Sequence, residues 1–353
     1  MMVMVSATRS RRPFGSTDGK GIWRKLPCAA AMCLALYALP APASAQEPVR
    51  IGIGSGLAFL PTYLCEDLKL IEKHGKDAHL DLRASYQRFA AAGQLQDAVV
   101  SGAIDIGPFG VAPLLAAWEK ARGTPQQILA ASGMTTLPLT LLTNRGDVRT
   151  LADFRPSDRI AVPTASSPQT YLLQMQSEKI FAQYDRLQRQ IVTLPHPDAV
   201  AALVAATGQV TGYFSSAPYT QIALNDGRIH KVMSSADVIG GKASFLILGA
   251  TRRYLTAHAK TAEAVAKAMD EAASIIHDDP RRAAQIYLAH EPFRVLDGTA
   301  VEAIIGEIKD EFGSAVYGIE AFAAFMSRRG QLQAPPASWK EIVAPALVNS
   351  PSN

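Results

Sequence analysis

The side chains in this chain best suited to chemistry are hydroxyls and aromatic rings set beside glycine and proline at a few loop positions. In Thr164-Ala165-Ser166-Ser167-Pro168, Ser167 reads as a helix N-cap and Pro168 as the first helical residue. Such a helix start presents free N–H groups and a positive dipole end, which suit a carboxylate, a sulfonate or a polarised oxygen. Thr164 and Ser166 add hydroxyl donors. Tyr213-Phe214-Ser215-Ser216-Ala217-Pro218-Tyr219 repeats the pattern, with Phe214, Ser215 and Tyr219 as candidate contacts. In Gly52-Ile53-Gly54-Ser55-Gly56-Leu57-Ala58-Phe59 the glycines let backbone approach a ligand, making Ser55, Gly56, Leu57 and Phe59 candidates. The alternative there is a tight strand-to-helix turn with Phe59 in the core. The spacing is not G-x-G-x-x-G, which argues against a dinucleotide. Phe109-Gly110 offers an aromatic wall or, equally, a core aromatic beside a turn. Ser132 and Met134 complete the set.

Residues for bond-making chemistry are harder to find. The seven histidines (His74, His79, His196, His230, His258, His277 and His290) are scattered. None forms H-E-x-x-H or a His/Cys cluster, so no metal site is expected. There is no G-x-S-x-G and no P-loop. No catalytic residue and no cofactor can be assigned, and the chain is expected not to be an enzyme. Asp105, inside an apolar strand, is expected to accept structural hydrogen bonds. Asp278-Asp279 opens a helix and favours its dipole. Arg88 and Arg145 could meet an anion, but solvation is the expectation for each.

The elements that must position these loops alternate. Strands are expected at Val49–Gly54, Leu80–Arg83, Ala103–Gly107 and Gln127–Ser132, with helices at Pro61–Leu70, Ala90–Val100 and Ala112–Lys120 between them. Leu137–Thr143 reads as a strand crossing to a second lobe. There, strands at Arg159–Val162, Gln190–Leu194, Val210–Phe214 and Lys231–Met233 alternate with helices at Pro168–Phe181, Asp198–Ala206 and Pro218–Asn225. Ser244–Leu248 reads as a second crossing strand. Helices follow at Thr261–His277, Arg281–His290, Thr299–Phe312 and Ile319–Arg328, punctuated by Asp279-Pro280 and Glu291-Pro292. The tail from Pro335 reads as a wrapping segment anchored by Trp339. Strands separated by helices imply βαβ units with parallel sheets. The expected fold is α/β, with two lobes joined by crossing hinge strands and a cleft between them. The first lobe takes residues 46–138 and 248–353, the second 139–247. Ligands in such sheets sit at the carboxyl ends of strands, which is where the candidate loops fall.

The first 45 residues have a different character. Arg24-Lys25, the apolar run Leu26–Leu39 and Pro40-Ala41-Pro42-Ala43-Ser44-Ala45 form a secretory signal-peptide pattern with cleavage expected after Ala45. Ser10-Arg11-Arg12-Pro13-Phe14 has a twin-arginine look, which leaves the export route open. This segment holds six of the 35 Lys/Arg and one of the 31 Asp/Glu. The remaining chain has 29 bases and 30 acids, so the basic balance belongs to the leader. Nothing in the mature part points to nucleic acid or an anionic membrane surface. Cys28 and Cys33 also lie in the leader; Cys65 alone remains, and no intramolecular disulfide can form.

Several segments in order carry a family resemblance: Ser101-Gly102-Ala103-Ile104-Asp105-Ile106-Gly107, Leu151-Ala152-Asp153-Phe154 before Arg159-Ile160-Ala161-Val162, and Leu203 to Val210 leading to Pro218, with Phe325-Met326, Gly330 and Trp339 behind them. The mature chain resembles the periplasmic substrate-binding proteins of the nitrate/sulfonate/taurine ABC importers, whose relatives include binders of thiamine-precursor pyrimidines. The resemblance implies a type II periplasmic binding protein fold, a small-molecule ligand, and an ABC permease and ATPase in the inner membrane as partners. It carries the family's ligand contacts to Ser55–Phe59, Phe109-Gly110, Ser166-Ser167 and Phe214-Ser215. Two positions depart from the pattern. Thr211 stands where an acidic residue is usual, and Lys69 stands where a glycine precedes Leu70-Ile71-Glu72. The expected ligand is a small organic anion, a sulfonate or carboxylate with an aromatic body in view, bound by a monomer in the periplasm. A neutral heterocycle, a sensing role beside a membrane receptor, and an exported enzyme on the same fold are the alternatives.

Overall fold

The computed structural model describes residues 46–90, 92–291 and 296–347. The expected leader, residues 1–45, lies outside the described residues, as does the end of the tail. Among the described residues the strands are β1 (Glu47–Ile53), β2 (Leu82–Arg88), β3 (Ile106–Phe109), β4 (Ile128–Thr135), β5 (Thr140–Thr143), β6 (Ile160–Val162), β7 (Ile191–Thr193), β8 (Gly212–Ser215), β9 (His230–Ser234) and β10 (Leu246–Thr251). The α-helices are α1 (Leu60–Leu68), α2 (Leu70–Asp77), α3 (Ala92–Ser101), α4 (Val111–Lys120), α5 (Pro168–Phe181), α6 (His196–Ala205), α7 (Tyr219–Leu224), α8 (Ser235–Ile239), α9 (Arg252–Ala257), α10 (Ala259–Asp278), α11 (Pro280–His290), α12 (Gly298–Ile308) and α13 (Ile319–Arg328).

Two five-stranded sheets organise them, in the orders β2-β1-β3-β10-β4 and β7-β6-β8-β5-β9. Within each, the βαβ strands pair in parallel: β1 with β2 and β3, and β6 with β7 and β8. Each sheet also receives one antiparallel strand, β10 in the first and β5 in the second. Those two strands are the ones that have just crossed over. The chain leaves the first sheet after Thr135 and enters the second at Thr140; it leaves after Ser234 and returns at Leu246. The crossing segments hold each other, Ser235 N–H donating to Leu139 O at 2.8 Å and Phe245 N–H to Thr135 O at 2.8 Å. The fold is the two-lobed α/β architecture with crossing hinge strands.

Apolar runs with few charges account for the buried strands. All eight residues of β4 are buried although it lies at a sheet edge. The tail covers it: Ala130 N–H donates to Ile342 O and Ala344 N–H to Ala130 O, both at 2.8 Å, and the Trp339 ring packs on the same core. The tail wraps as expected, and this removes an exposed sheet edge. Cys65 is fully buried. Asp105 accepts from the Arg50 backbone N–H at 2.8 Å and from its guanidinium at 2.6 Å, the structural role expected of it. Asp279 caps α11 by accepting from Arg282 N–H at 3.0 Å.

Several expectations need correction. The helix expected over Pro61–Leu70 ends at Leu68, and α2 follows it after a break at Lys69. Lys69 sits in the left-handed region (φ 53°, ψ 41°), the conformation that the family's glycine would supply without strain. A second helix, α9, precedes α10, and α8 fills the return crossing. The helix expected to run to Phe312 leaves α-geometry after Ile308. Strand β2 runs on to Arg88. Arg145 is not solvated: its side chain is 14% exposed and is paired with Asp147 and with the buried Asp158.

Candidate functional site

The carboxyl ends of the parallel strands of both sheets carry the candidate loops. In the first lobe, β1 ends in Gly54-Ser55-Gly56. Gly56 has φ 102° and ψ 170°, a backbone conformation open essentially to glycine alone. That conformation turns the Gly56 N–H to Oε1 of Glu291, at 2.6 Å. The Tyr63 hydroxyl on α1 donates to the same oxygen, and Gly54 O lies 2.9 Å from it as an alternative acceptor for its single proton. Tyr287, one turn before Glu291, donates to Oε2 at 3.4 Å. One carboxylate therefore gathers the first loop, α1 and the end of α11.

Tyr219, the first residue of α7 in the second lobe, feels the charge of this cluster. Burial and the charge of Glu291 push the Tyr219 phenol up to about 12, and Tyr219 in turn helps to raise the Tyr287 phenol. The Tyr63 phenol is raised as well, by burial and then by Glu291. The Tyr219 ring stacks on His196, with centroids 5.3 Å apart and planes 12° from parallel. His196 bonds the Tyr213 hydroxyl through Nδ1 and Ser216 Oγ through Nε2, the latter at 3.3 Å. Burial lowers its pKa to about 4. The imidazole is neutral at pH 7, one nitrogen accepting and the other donating. Ser216 and His196 have the composition of a nucleophile and its base. Yet the ring's far nitrogen meets a phenol rather than a carboxylate, and its low pKa makes it a poor proton acceptor.

The second pair of candidate loops meets directly. A Cβ added to Gly110, at the carboxyl end of β3, would fall 2.5 Å from Pro168 Cγ at the start of α5. The α5 start has the expected cap: Ser167 Oγ accepts from Thr170 N–H at 3.4 Å. Thr164 and Ser166 are exposed beside it. Gln169, in the first turn, is 1% exposed, and neither atom of its carboxamide has a partner among the described residues.

The candidate residues thus divide. Gly110 and Ser167 lie where the two lobes touch, with the exposed Thr164 and Ser166 beside Ser167, while Gly56, the exposed Ser55 and Tyr219 lie in other strand-end loops. Phe59 is partly buried, its ring against Gly54, where an added Cβ would lie 2.6 Å from its Cζ. Leu57, Phe109, Phe214, Ser132 and Ser215 are placed inside the lobes, at 1% exposure or less. The Phe109 ring packs on Gly249. Ser132 Oγ donates to Gly133 O at 2.7 Å, and Ser215 Oγ to Thr140 O at 2.9 Å. Met134 is also fully buried. The helix that Tyr219 opens has only six residues, too few for a strong terminal dipole.

Tyr63, Gln169, His196, Tyr287 and Glu291 are the residues that sequence reasoning missed. His196 lies just past the carboxyl end of β7, so the strand-end rule that picked the other loops also picks it. Glu291 reads in sequence only as punctuation before Pro292. Among the described residues, no group of three or more His, Cys, Asp or Glu side chains is placed to hold a metal ion. No described helix is long and apolar enough to cross a membrane.

The architecture has known counterparts. The alkanesulfonate-binding protein of Xanthomonas axonopodis pv. citri, solved with MOPS, superposes with a TM-score of 0.64 at 22% identity, covering 85% of this chain and 97% of its own. The ligand-binding component of an ABC-type import system from Staphylococcus aureus, solved with zinc, gives 0.62 at 17% identity over 86% and 99%. The periplasmic nitrate-binding protein of Synechocystis PCC 6803 gives 0.59 at 14% identity over 88% and 86%. These likenesses establish the periplasmic binding protein fold. Comparison with curated proteins gives no match. Residues 43–289 match the NMT1-like family, a span that holds both crossings and every candidate loop, and the chain belongs to that family.

Proposed function

We propose that the protein is the exported solute-binding component of an ABC importer and captures a small organic anion between its lobes. The observation that carries this reading is the contact of the lobes at Gly110 and Pro168, where an added Cβ would lie 2.5 Å from the proline Cγ, together with the Gly56, Tyr63 and Glu291 cluster of the first lobe, whose charge is felt by Tyr219 of the second. A ligand held there touches both lobes and so stabilises the closed arrangement over the open one. The first lobe comprises residues 46–138 and 248–353 and the second 139–247, with the crossings as hinges. The N-terminus of α5, flanked by Thr164 and Ser166, receives the anionic group. The Tyr219 and Phe59 rings bound its body, as polar and apolar surfaces commonly do in pockets. The leader directs the chain to the periplasm and is removed after Ala45. An inner-membrane permease with its ATPase takes the ligand from the closed form. The solved structures of similar fold support this reading, since their described ligands are an alkanesulfonate-type molecule and nitrate.

A thermal-shift screen against sulfonates, carboxylates, aromatic acids, nitrate and pyrimidines tests it. A ligand at a hundred times its dissociation constant adds about 2.7 kcal/mol, a shift of several degrees. A saturable shift from an organic acid recovered intact is expected. Turnover of that compound, or a shift from no acid at all, would overturn the reading.

A further inference from the structure

Glu291 is badly placed for its own helix. It follows α11 directly, its N–H donating to Tyr287 O at 2.8 Å, where the negative end of the dipole disfavours a carboxylate. No Lys, Arg or His among the described residues lies within ion-pair distance of it. Arg88 and His290 lie against the Tyr63 ring, at 5.7 Å and 4.6 Å from its centroid, but their ion pairs are with other carboxylates: Arg88 with Glu66 at 3.3 Å, and His290 with Asp67 at 2.8 Å. Among the described residues its hydrogen-bond donors are neutral, Gly56 N–H and the Tyr63 hydroxyl on Oε1 and Tyr287 on Oε2. A carboxylate offers about four acceptor positions, so Oε2 retains capacity. This charge is held by the Tyr63 and Tyr287 hydroxyls of the first lobe and is felt by the Tyr219 phenol of the second.

From this geometry, and resting on the proposed binding function, we infer that Glu291 is a specificity-determining residue: it accepts a hydrogen bond from a nitrogen donor on the ligand and excludes a second anionic group from the first-lobe end of the cleft. The ligand is therefore bipolar. Its acid faces the α5 start of the second lobe, and its donor faces Glu291. A flat, donor-bearing ring fits between, because stacked and tilted aromatic rings tolerate such a body.

Calorimetric titration with three probes tests the inference: benzenesulfonate, 4-aminobenzenesulfonate and the dianion 4-sulfobenzoate. The protein is expected to bind the amino compound at least tenfold more tightly than benzenesulfonate, and 4-sulfobenzoate most weakly. In Glu291→Gln the preference for the amine falls at least tenfold and the dianion improves at least tenfold. Glu291→Asp, which keeps the charge, keeps the rejection of the dianion and guards against a misfolded Gln variant. If the three affinities keep their ratios in Glu291→Gln, the residue is only a brace for the first loop and the inference fails. If the protein binds other organic acids but prefers the dianion or ignores all three probes, the inference fails while the proposed function stands. If no small molecule of any class binds, both fall.

Discussion

A Cβ placed on Gly110 would lie 2.5 Å from Cγ of Pro168, so the first-lobe turn after β3 and the first residue of α5 touch with no room for a side chain. A proline ring cannot swing aside as a long side chain could. Gly110→Ala therefore pushes the lobes apart rather than disrupting either core. Small-angle scattering should show a larger radius of gyration, and affinity for the best ligand of the thermal-shift screen should fall about tenfold, or about 1.4 kcal/mol. An unchanged radius with unchanged affinity would show that this contact does not limit closure.

Lys69 tests a departure from the family pattern. A non-glycine residue in the left-handed region costs about 1–2 kcal/mol, and part of that returns as unfolded-chain freedom when glycine replaces it. Lys69→Gly should raise stability by about 0.5–1 kcal/mol in chemical denaturation. A loss of stability would mean that the α1–α2 junction depends on the lysine side chain.

Arg145 and Asp158 make a pair with little solvent, at 14% and 6% side-chain exposure. Asp158 also accepts the Arg155 N–H at 2.6 Å, so its charge is built into the turn before β6. Arg145→Met should cost about 3 kcal/mol, since one partner of a buried pair is left behind. A cost below about 1 kcal/mol would fit a solvated arginine instead.

His196 gives the fold a pH dependence of known sign. Burial lowers its pKa from 6.5 to about 4. Between those values the unfolded chain binds a proton that the folded chain does not. Stability therefore rises with pH through this window and levels off above it. The full shift is worth about 3 kcal/mol. Denaturation midpoints measured from pH 4 to 8 should show this slope, and His196→Gln should flatten it. An equal slope in both proteins would locate the dependence elsewhere.

The alternation of strands and helices was legible because each sheet is built from local βαβ units with clear apolar runs. The helices Pro168–Phe181 and Ile319–Arg328 fall at the expected bounds, since Ser167-Pro168 and Gly330 are strong local punctuation. The α1–α2 break was not legible, because a lysine in a left-handed turn gives none of the signal a glycine gives. The site was only half readable. Glycine and capping loops announce themselves in sequence, as the Gly56 turn, the Gly110 close approach and the Ser167 cap do, whatever ligand they meet. Glu291 lies 235 positions from Gly56, and no local pattern links them. Phe109 and Phe214 look like ligand walls in sequence because strand-end aromatics can face either way; both turn into the core.

Hydrogen exchange with and without the compound giving the largest saturable thermal shift tests the central claim most directly. Ligand bridging the lobes should slow exchange together in residues 54–63, 287–291, 164–171 and 213–220. Protection confined to one lobe, or absent from all four segments, would contradict capture between the two.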